Sequence, residues 1–316
     1  KYGRRDSNFE FGTNPCSEII LRPNQFCNLT EVVVRSTDTV KDLERKVTLA
    51  TILGTIQSTY TKFPYLRKVW TTNTEEERLL GVSLTGIMDN PLMTTANPEL
   101  EKTLEKLRKL SVTTNAKWAD RLGIPASTAI TCVKPSGTVS QLVDSSSGIH
   151  ARHSDYYIRT VRGDNKDPLT QFMKDQGVPS EPDIYKPEQT TVFSFPMKAP
   201  DGAVVTANMS ATEQLEMWLA YQRHWCEHKP SVTINVKNSE WFEVGAFVYE
   251  HFDEMSGVSF LPFNEHTYQQ APYQDCGKND YETLKSLMPK SIDWSKLSEY
   301  ENEDNTSGSQ TLACSG

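Results

Sequence analysis

The sequence is poor in the features that mark secreted, membrane and metal-binding proteins. Its 316 residues include only six scattered cysteines, with no CxxC pair and no HExxH. This excludes a secreted disulfide scaffold and gives no support to a structural zinc site or a zincin. No apolar run approaches the roughly 18 residues that a membrane span needs, and the N-terminal residues lack the apolar core of a signal peptide. We therefore expect a cytoplasmic protein with no membrane partner, in which any important cysteine is catalytic.

An excess of positive charge is also missing. Lys and Arg number 33 against 41 Asp and Glu, for a formal net charge of −8, so the chain lacks the basic surface that binds nucleic acid through its phosphates. This balance still allows a pocket for a small anion. Apolar residues make up 37% and charged residues 23%, proportions that exclude a disordered chain or a collagen. The length suits two domains of about 150 residues or one large α/β barrel.

Periodic apolar residues predict an alternation of strands and helices. Helical spacing predicts helices over residues 39–60, 98–122, 212–228 and 241–254. Thr39 is the expected N-cap of the first helix, and Thr212 opens the third with an imperfect capping box. This order of elements is the pattern of an α/β protein. Short runs rich in β-branched residues predict strands at residues 19–21, 29–34, 127–133, 156–161, 231–236 and 258–263.

The two ends of the chain differ from its middle. The sequence begins at Lys1 without an initiator Met, and it stops at Gly316 soon after a polar, acidic stretch over residues 298–310. We expect a segment of a longer protein, with a catalytic domain over residues 1–275. Residues 276–316 are expected to form a C-terminal extension with a mobile tail.

The most unusual segment is Asn14-Pro15-Cys16-Ser17-Glu18, which is followed eleven residues after Cys16 by Cys27. In an extended segment, the amide, the thiol and the carboxylate at alternate positions project to the same side. There the thiol could react, the carboxylate could take a proton and the amide could hold a hydroxyl of one small ligand. Taken alone, these residues also fit an Asn-Pro turn with an incidental buried cysteine.

The Asn-x-Cys-x-Glu motif with a second cysteine downstream resembles the finger loop of ribonucleotide reductase large chains. It is most similar to that of the monomeric, adenosylcobalamin-dependent ribonucleoside-triphosphate reductases of class II. Residues 134–162 (KPSGTVSQLVDSSSGIHARHSDYYIRTVR) and 231–263 (SVTINVKNSEWFEVGAFVYEHFDEMSGVSFLPF) resemble the same group. The resemblance covers nearly the whole chain. It implies about the second half of a ten-stranded α/β barrel, with an inserted cysteine finger loop.

The resemblance implies a role for each residue of the cysteine loop. A thiyl radical on Cys16 removes the 3′-hydrogen of the ribose, Glu18 accepts the proton of the 3′-hydroxyl, and Asn14 hydrogen-bonds the sugar hydroxyls. Cys27 matches one of two thiols that supply the reducing electrons and become a disulfide. The partner of Cys27 in the family lies N-terminal to Lys1. Such radical chemistry needs a dry, shaped pocket.

Two further segments match the family. Ser136, Gly137 and Thr138 resemble the loop that holds the substrate phosphates through backbone N–H groups and hydroxyls; taken alone, PSGT is an ordinary turn. Cys314 matches a C-terminal cysteine that relays electrons from thioredoxin. The implied reaction is reduction of a ribonucleoside triphosphate, with adenosylcobalamin as cofactor. Thioredoxin or a similar dithiol is the implied reductant, and the N-terminal remainder of the reductase is the implied partner.

Two alternatives stay open. A class I large subunit would need a separate radical-bearing subunit. However, residues 257–263, the stretch comparable to its tyrosine pair, hold no tyrosine, and Tyr156-Tyr157 lies on another strand. The chain could also be an inactive remnant, or one piece of a split reductase.

The histidines give no clear metal motif. His224 and His228 lie one turn apart on a predicted helix but lack a third ligand, so we expect solvent or core histidines. His150, Arg152 and His153 follow the phosphate-like loop. They suit either a positive charge near the nucleotide or a structural role.

Overall fold

The computed structural model describes residues 3–263 and 268–301, which form ten strands and eight α-helices. The strands are β1 (Gly12–Thr13), β2 (Ile20–Leu21), β3 (Asn28–Val33), β4 (Leu80–Thr85), β5 (Tyr156–Asp164), β6 (Ser180–Pro182), β7 (Thr190–Lys198), β8 (Val232–Val236), β9 (Val258–Pro262) and β10 (Tyr273–Asp275). The helices are α1 (Val40–Gln57), α2 (Lys68–Glu77), α3 (Pro98–Leu122), α4 (Gly137–Leu142), α5 (Pro168–Asp175), α6 (Ala211–His224), α7 (Trp241–Glu250) and α8 (Lys278–Leu287). The described residues divide into two compact units, one of residues 3–152 and 200–263 and the other of residues 153–199 and 268–301.

Five extended segments of the first unit run parallel, in the order β3, β4, residues 129–133, β8 and β9. β3 pairs with β4, and β8 pairs with β9. Residues 129–133 connect the two pairs: the N–H of Cys132 donates to the carbonyl of Val82 at 3.1 Å, and the N–H of Ser231 donates to that of Val133 at 2.9 Å. Parallel neighbours require a crossover connection, and α1, α3, α6 and α7 lie in these connections.

The apolar core of the first unit lies between the parallel strands and helices α1, α3 and α6. β4 is buried along its whole length, as expected of a parallel strand covered on both faces. Side chains alternate along β3, so Val32 enters the core while Glu31 points to the opposite face. Prominent members of this core are Val32, Leu43, Val47, Leu84, Leu104, Leu215, Trp218 and Ile234.

The second unit contains a four-stranded antiparallel sheet in the order β10, β5, β7, β6. β5 and β7 pair along nine residues each. Phe172 of α5 is buried, and its ring centroid lies 5.5 Å from those of Trp294 and Tyr300.

The predicted α/β class is confirmed, and most predicted elements are present. α3 spans the predicted residues, because the Asn97 side chain caps its start and Gly123, with φ of 67°, ends it. The predicted start of a helix at Thr212 is wrong. Ser210 is the N-cap of α6, since it forms a full capping box with Glu213. The sequence patterns predict none of α2, β4, β7 and α8.

Candidate active site

β1 and β2 form a short antiparallel hairpin with the cysteine loop at its tip. The Asn14 carbonyl accepts the N–H of Ser17 at 2.9 Å, and the Asn14 side-chain oxygen accepts the N–H of Ile19 at 3.0 Å. Ser17 is left-handed, with φ of 64°. The tip is therefore a turn, as an Asn-Pro pair favours, and the extended geometry that would align alternate side chains is absent. Cys16 is exposed, whereas Glu18 is fully buried.

The buried Glu18 carboxylate has few partners. Neither of its oxygens takes part in a hydrogen bond with the described residues, and the ammonium of Lys134 lies 3.7 Å from Oε1. Burying a carboxylate without hydrogen bonds is costly. The arrangement therefore suits a bound ligand whose hydroxyl group donates to Glu18.

Cys27 lies just before β3 as a free thiol. Burial raises the pKa of this thiol and the charge of Glu18 raises it further, while Arg5 and Lys134 act in the opposite direction. Cys27 is therefore protonated at neutral pH. The influence of Glu18 shows that the thiol and the carboxylate share one electrostatic environment.

Residues that follow α6 fix the backbone of the hairpin. His228 accepts the N–H of Ile20 through Nδ1 at 3.3 Å and donates through Nε2 to the carbonyl of Leu80 at 2.9 Å. The N–H of Lys229 donates to the carbonyl of Glu18 at 3.0 Å. Burial lowers the pKa of His228 to about 3. Its neutral ring can therefore accept and donate at once, as a core histidine.

A buried ion pair fixes the same hairpin from the N-terminal side. Arg5 forms a bidentate ion pair with Glu77 and donates to the carbonyl of Ile20 at 2.6 Å. Gln25 donates to Glu77 at 2.7 Å, and Arg22 lies 3.1 Å from the same carboxylate. Burial acts to raise the pKa of Glu77, but hydrogen bonds from Arg5 and Gln25 and the nearby positive charges outweigh burial and lower it. Both backbone groups of Ile20 are therefore held by hydrogen bonds, the carbonyl by Arg5 and the N–H by His228.

Space for the hairpin comes from Gly81 in β4. A Cβ at this position would lie 2.4 Å from Cδ2 of Leu29 and 2.9 Å from Cδ1 of Ile19. A side chain at position 81 would therefore require the ends of the Leu29 and Ile19 side chains to shift.

The predicted phosphate-binding residues precede and open α4. Ser136 is left-handed, with φ of 54°, and Gly137 and Thr138 are exposed. The Ser136 hydroxyl donates to the carboxylate of Glu31, which also accepts the hydroxyl of Ser83 at 3.1 Å. Burial raises the pKa of Glu31, and the two hydrogen bonds oppose this effect.

A second loop, which contains Ser146 and Gly148, packs against the predicted phosphate-binding loop. Gly148 has φ of 53°, and a Cβ there would lie 2.2 Å from the carbonyl oxygen of Lys134. Asp89 fixes this second loop by accepting the N–H of Ser146 at 2.9 Å and by forming a bidentate pair with Arg152 at 2.8 and 2.9 Å. Arg152 thus has a structural role in this arrangement.

Two other histidines have protein partners. His150 bridges the carbonyl of Ser147 at 2.8 Å and the N–H of Thr233 at 3.0 Å, and burial lowers its pKa. His224 contacts Glu105 at 2.8 Å. Within residues 3–263 and 268–301, no group of His, Cys, Asp and Glu side chains is arranged to hold a metal ion. In the same part of the chain, no helix combines the length and the apolar character needed to cross a membrane.

Three residues of this site are not predicted by the sequence patterns: Glu31, Ser83 and Gly81. Glu31 and Gly81 each carry a weak local signal, whereas Ser83 carries none. A carboxylate within the β-branched run of β3 needs a partner, and a glycine inside a strand marks a close approach. The predicted Cys314 lies outside the described residues.

Comparison with known proteins agrees with the motif-based resemblance. No family model matches the chain. The adenosylcobalamin-dependent ribonucleoside-triphosphate reductase of Lactobacillus gasseri is 30% identical over 93% of this chain, and that of Lactobacillus leichmannii is 30% identical over 86%. The enzyme of the same name from Euglena gracilis is 28% identical over 86% of this chain. A crystal structure of a B12-dependent, class II ribonucleotide reductase matches 94% of the chain with a TM-score of 0.81 and 27% identity.

The chain resembles a class II ribonucleotide reductase over almost its whole length. The predicted similarity to this family is thereby confirmed. The chain spans only about two fifths of its relatives, covering 42%, 40% and 37% of the three reductases above and 45% of the solved chain.

Proposed function

We propose that this chain is the C-terminal part of the catalytic chain of an adenosylcobalamin-dependent ribonucleoside-triphosphate reductase. The geometry of the hairpin carries this proposal. An exposed Cys16 thiol lies two residues before the buried Glu18 carboxylate, which has no hydrogen bond with the described residues. Cys27 shares the environment of that carboxylate. The sequence and fold similarity to class II reductases supports the same function.

Cys16 is proposed to carry the thiyl radical. The radical takes the 3′-hydrogen of the ribose, so a new S–H bond forms as the 3′ C–H bond breaks. Adenosylcobalamin, when bound, would supply the radical. The exposure of Cys16 at a hairpin tip fits both a radical initiator and a substrate that reach the thiol directly.

Glu18 and Asn14 are proposed to bind the sugar hydroxyls. Glu18 accepts the proton of the 3′-hydroxyl, and the absence of protein donors to its oxygens in the described residues supports this role. The side-chain oxygen of Asn14 is occupied by the N–H of Ile19. Its NH2 group is therefore the part available to a hydroxyl oxygen.

Cys27 is proposed to supply reducing electrons. Its raised pKa keeps the thiol protonated, which suits a group that delivers hydrogen together with its electrons. Its partner thiol belongs to the N-terminal remainder of the reductase. Cys314 would relay electrons from thioredoxin or a similar dithiol.

The substrate phosphates are proposed to bind residues 136–138. A left-handed residue followed by helical residues directs successive N–H groups into one concavity that attracts anions. Ser136 and Gly137 have this sequence of conformations. Gly137 and Thr138 are exposed to a ligand.

The five parallel segments are proposed to be one half of a ten-stranded barrel. The N-terminal remainder would supply the other five strands, as well as the second reducing thiol. The coverage of about two fifths of the relatives' length is consistent with this division.

The decisive experiment measures deoxynucleotide formation from a ribonucleoside triphosphate. The enzyme is the full-length parent chain, or this chain mixed with its N-terminal part, with adenosylcobalamin and a dithiol. Product that depends on the cofactor supports class II. Product only with an added radical-bearing subunit would assign a class I fragment, and no product in either case would indicate a remnant. The Cys16→Ala variant is the matched control.

A further inference from the structure

We propose that Glu31 sets the conformation of the phosphate-binding loop, and that the Ser136 hydroxyl bonds to Glu31 instead of to the phosphate. Glu31 is thus a positioning residue for substrate binding. This inference rests on the proposed function, because it refines the nucleotide site assigned there.

Glu31 anchors both ends of the three-residue segment Lys134-Pro135-Ser136. At one end, the Ser136 hydroxyl donates directly to Oε1 of Glu31. At the other end, the N–H of Lys134 donates to the Ser83 hydroxyl oxygen at 2.9 Å, and that hydroxyl donates to the same Oε1 at 3.1 Å. A single carboxylate oxygen therefore holds the first and the last residue of the segment in place.

The conformation held in this way is one that the chain does not favour by itself. Ser136 has φ of 54°, in the left-handed region that disfavours residues with a Cβ. The same left-handed residue, followed by helical Gly137, creates the concavity of N–H groups that suits a phosphate. The hydrogen bond to Glu31 thus stabilises the backbone geometry on which phosphate binding depends.

The Ser136 hydroxyl is also diverted from its usual partner. A serine that precedes a helix normally accepts a hydrogen bond from an N–H of the first turn, but Ser136 makes no such bond. Because Ser136 makes no such bond, its hydroxyl does not compete with a ligand for the N–H groups of Gly137 and Thr138.

The alternative role of Ser136 predicts the opposite effect of removing Glu31. If the Ser136 hydroxyl bound phosphate directly, Glu31 would compete for that hydroxyl and repel the anionic substrate. Removal of the carboxylate would then strengthen binding. If Glu31 positions the loop, its removal weakens binding.

The test uses the complete reductase and measures KM and kcat for a ribonucleoside triphosphate, together with the Kd of inorganic tripolyphosphate. We expect Glu31→Ala and Ser136→Ala each to raise KM and Kd about tenfold, with kcat changed by less than about threefold. The double variant should be no worse than either single variant, because both remove one interaction. Glu31→Gln retains an acceptor oxygen and should restore most of the affinity. Glu188→Gln, an exposed substitution in the second unit, is the control for loss of one negative charge.

Tighter binding by Glu31→Ala, or additive losses in the double variant, would overturn the inference. If Glu31→Ala does not fold, Ser83→Ala decides the question, since it removes only the indirect anchor at Lys134 and should also raise KM. An unchanged KM in Ser83→Ala would then count against the role of Glu31. Binding of tripolyphosphate that depends on Glu31, without any turnover by the wild type, would overturn the proposed function alone. No binding by the wild type would overturn both.

Discussion

His228 and Ile20 are joined by a hydrogen bond of 3.3 Å, in which the imidazole Nδ1 accepts the backbone N–H. The opposite ring nitrogen donates to the carbonyl of Leu80, so one neutral ring connects the cysteine hairpin to β4. A proton on Nδ1 would remove the acceptor. The hairpin is therefore held by the uncharged form of the histidine.

This contact predicts a loss of stability on acidification. The pKa of His228 is about 3 in the folded chain against an ordinary value of 6.5, so the unfolded chain takes up the proton first as the pH falls. The stability that depends on neutral His228 is complete above pH 6.5 and is lost progressively toward pH 3. Between pH 7 and 5 we expect the free energy of unfolding to fall by about 2 kcal/mol, measured by urea unfolding.

A pair of histidine variants separates this effect from general acid sensitivity. His228→Asn keeps a neutral acceptor and should reduce the dependence on pH, although it lowers stability at pH 7. His224→Asn, at a site that contacts Glu105 outside the hairpin, should retain the loss between pH 7 and 5. An undiminished loss in His228→Asn would contradict the prediction.

In the complete reductase, Cys16→Ala should abolish turnover without harming the fold. The residue is exposed, so the free energy of unfolding should change by no more than about 0.5 kcal/mol. Product formation and the thermal midpoint check the two halves of this prediction. Cys276→Ala in the second unit is the matched control and should remain active. Turnover by Cys16→Ala would refute the thiyl assignment.

Cys27 should react slowly with alkylating agents at neutral pH. Only the thiolate is the nucleophile, and burial together with Glu18 raises the pKa of this thiol. Mass spectrometry after timed iodoacetamide treatment at pH 7 should show Cys16 modified well before Cys27. Equal rates would show that the Cys27 thiol is more acidic or more accessible than its surroundings indicate.

Cys27→Ser should stop sustained reduction by thioredoxin while still permitting abortive chemistry on the substrate. The serine hydroxyl cannot form the disulfide that releases the reducing electrons. Multiple turnover and single turnover, measured on the same preparation, distinguish the two outcomes. Unchanged multiple turnover would show that Cys27 is not the reductant.

Gly81→Ala should destabilise the chain by about 1 kcal/mol, because the ends of the Leu29 and Ile19 side chains must shift to admit the new Cβ. The added Cβ would lie 2.4 Å from Leu29 and 2.9 Å from Ile19. Gly54→Ala in α1 is the matched control: its Cβ would meet atoms only at 3.5 Å, so helix propensity should make it neutral or stabilising. Urea unfolding of the two variants gives the comparison.

The sequence predicts best where the signals are local. The signals that define α3 lie directly at its two ends: Asn97-Pro98 at the start and Gly123 just after the last residue. β4 escapes prediction because both of its faces are buried, so its LGVSLT run shows no alternation. The capping box begins at Ser210, two residues before the predicted start at Thr212. Both residues carry a hydroxyl that could cap a helix, so the sequence alone does not distinguish them.

The site shows the same contrast between local and distant signals. The motif predicts Cys16, Glu18 and Cys27 as candidates because they are close in sequence. The anchors of the hairpin and loop are not predictable in this way, since Glu31 meets Ser136 across 105 residues and Arg5 meets Glu77 across 72. Only the folded chain shows which distant carboxylate fixes which segment.

The position of β3 has a practical consequence for handling the protein. In the described residues, β3 has a hydrogen-bonded neighbour on one side only, β4. Leu29, Leu49 and Leu53 line a groove along this strand and are exposed. An open strand edge beside exposed leucines is a template for aggregation. Material made from this chain alone should therefore self-associate as its concentration rises, and co-expression with the proposed N-terminal remainder is the expected remedy.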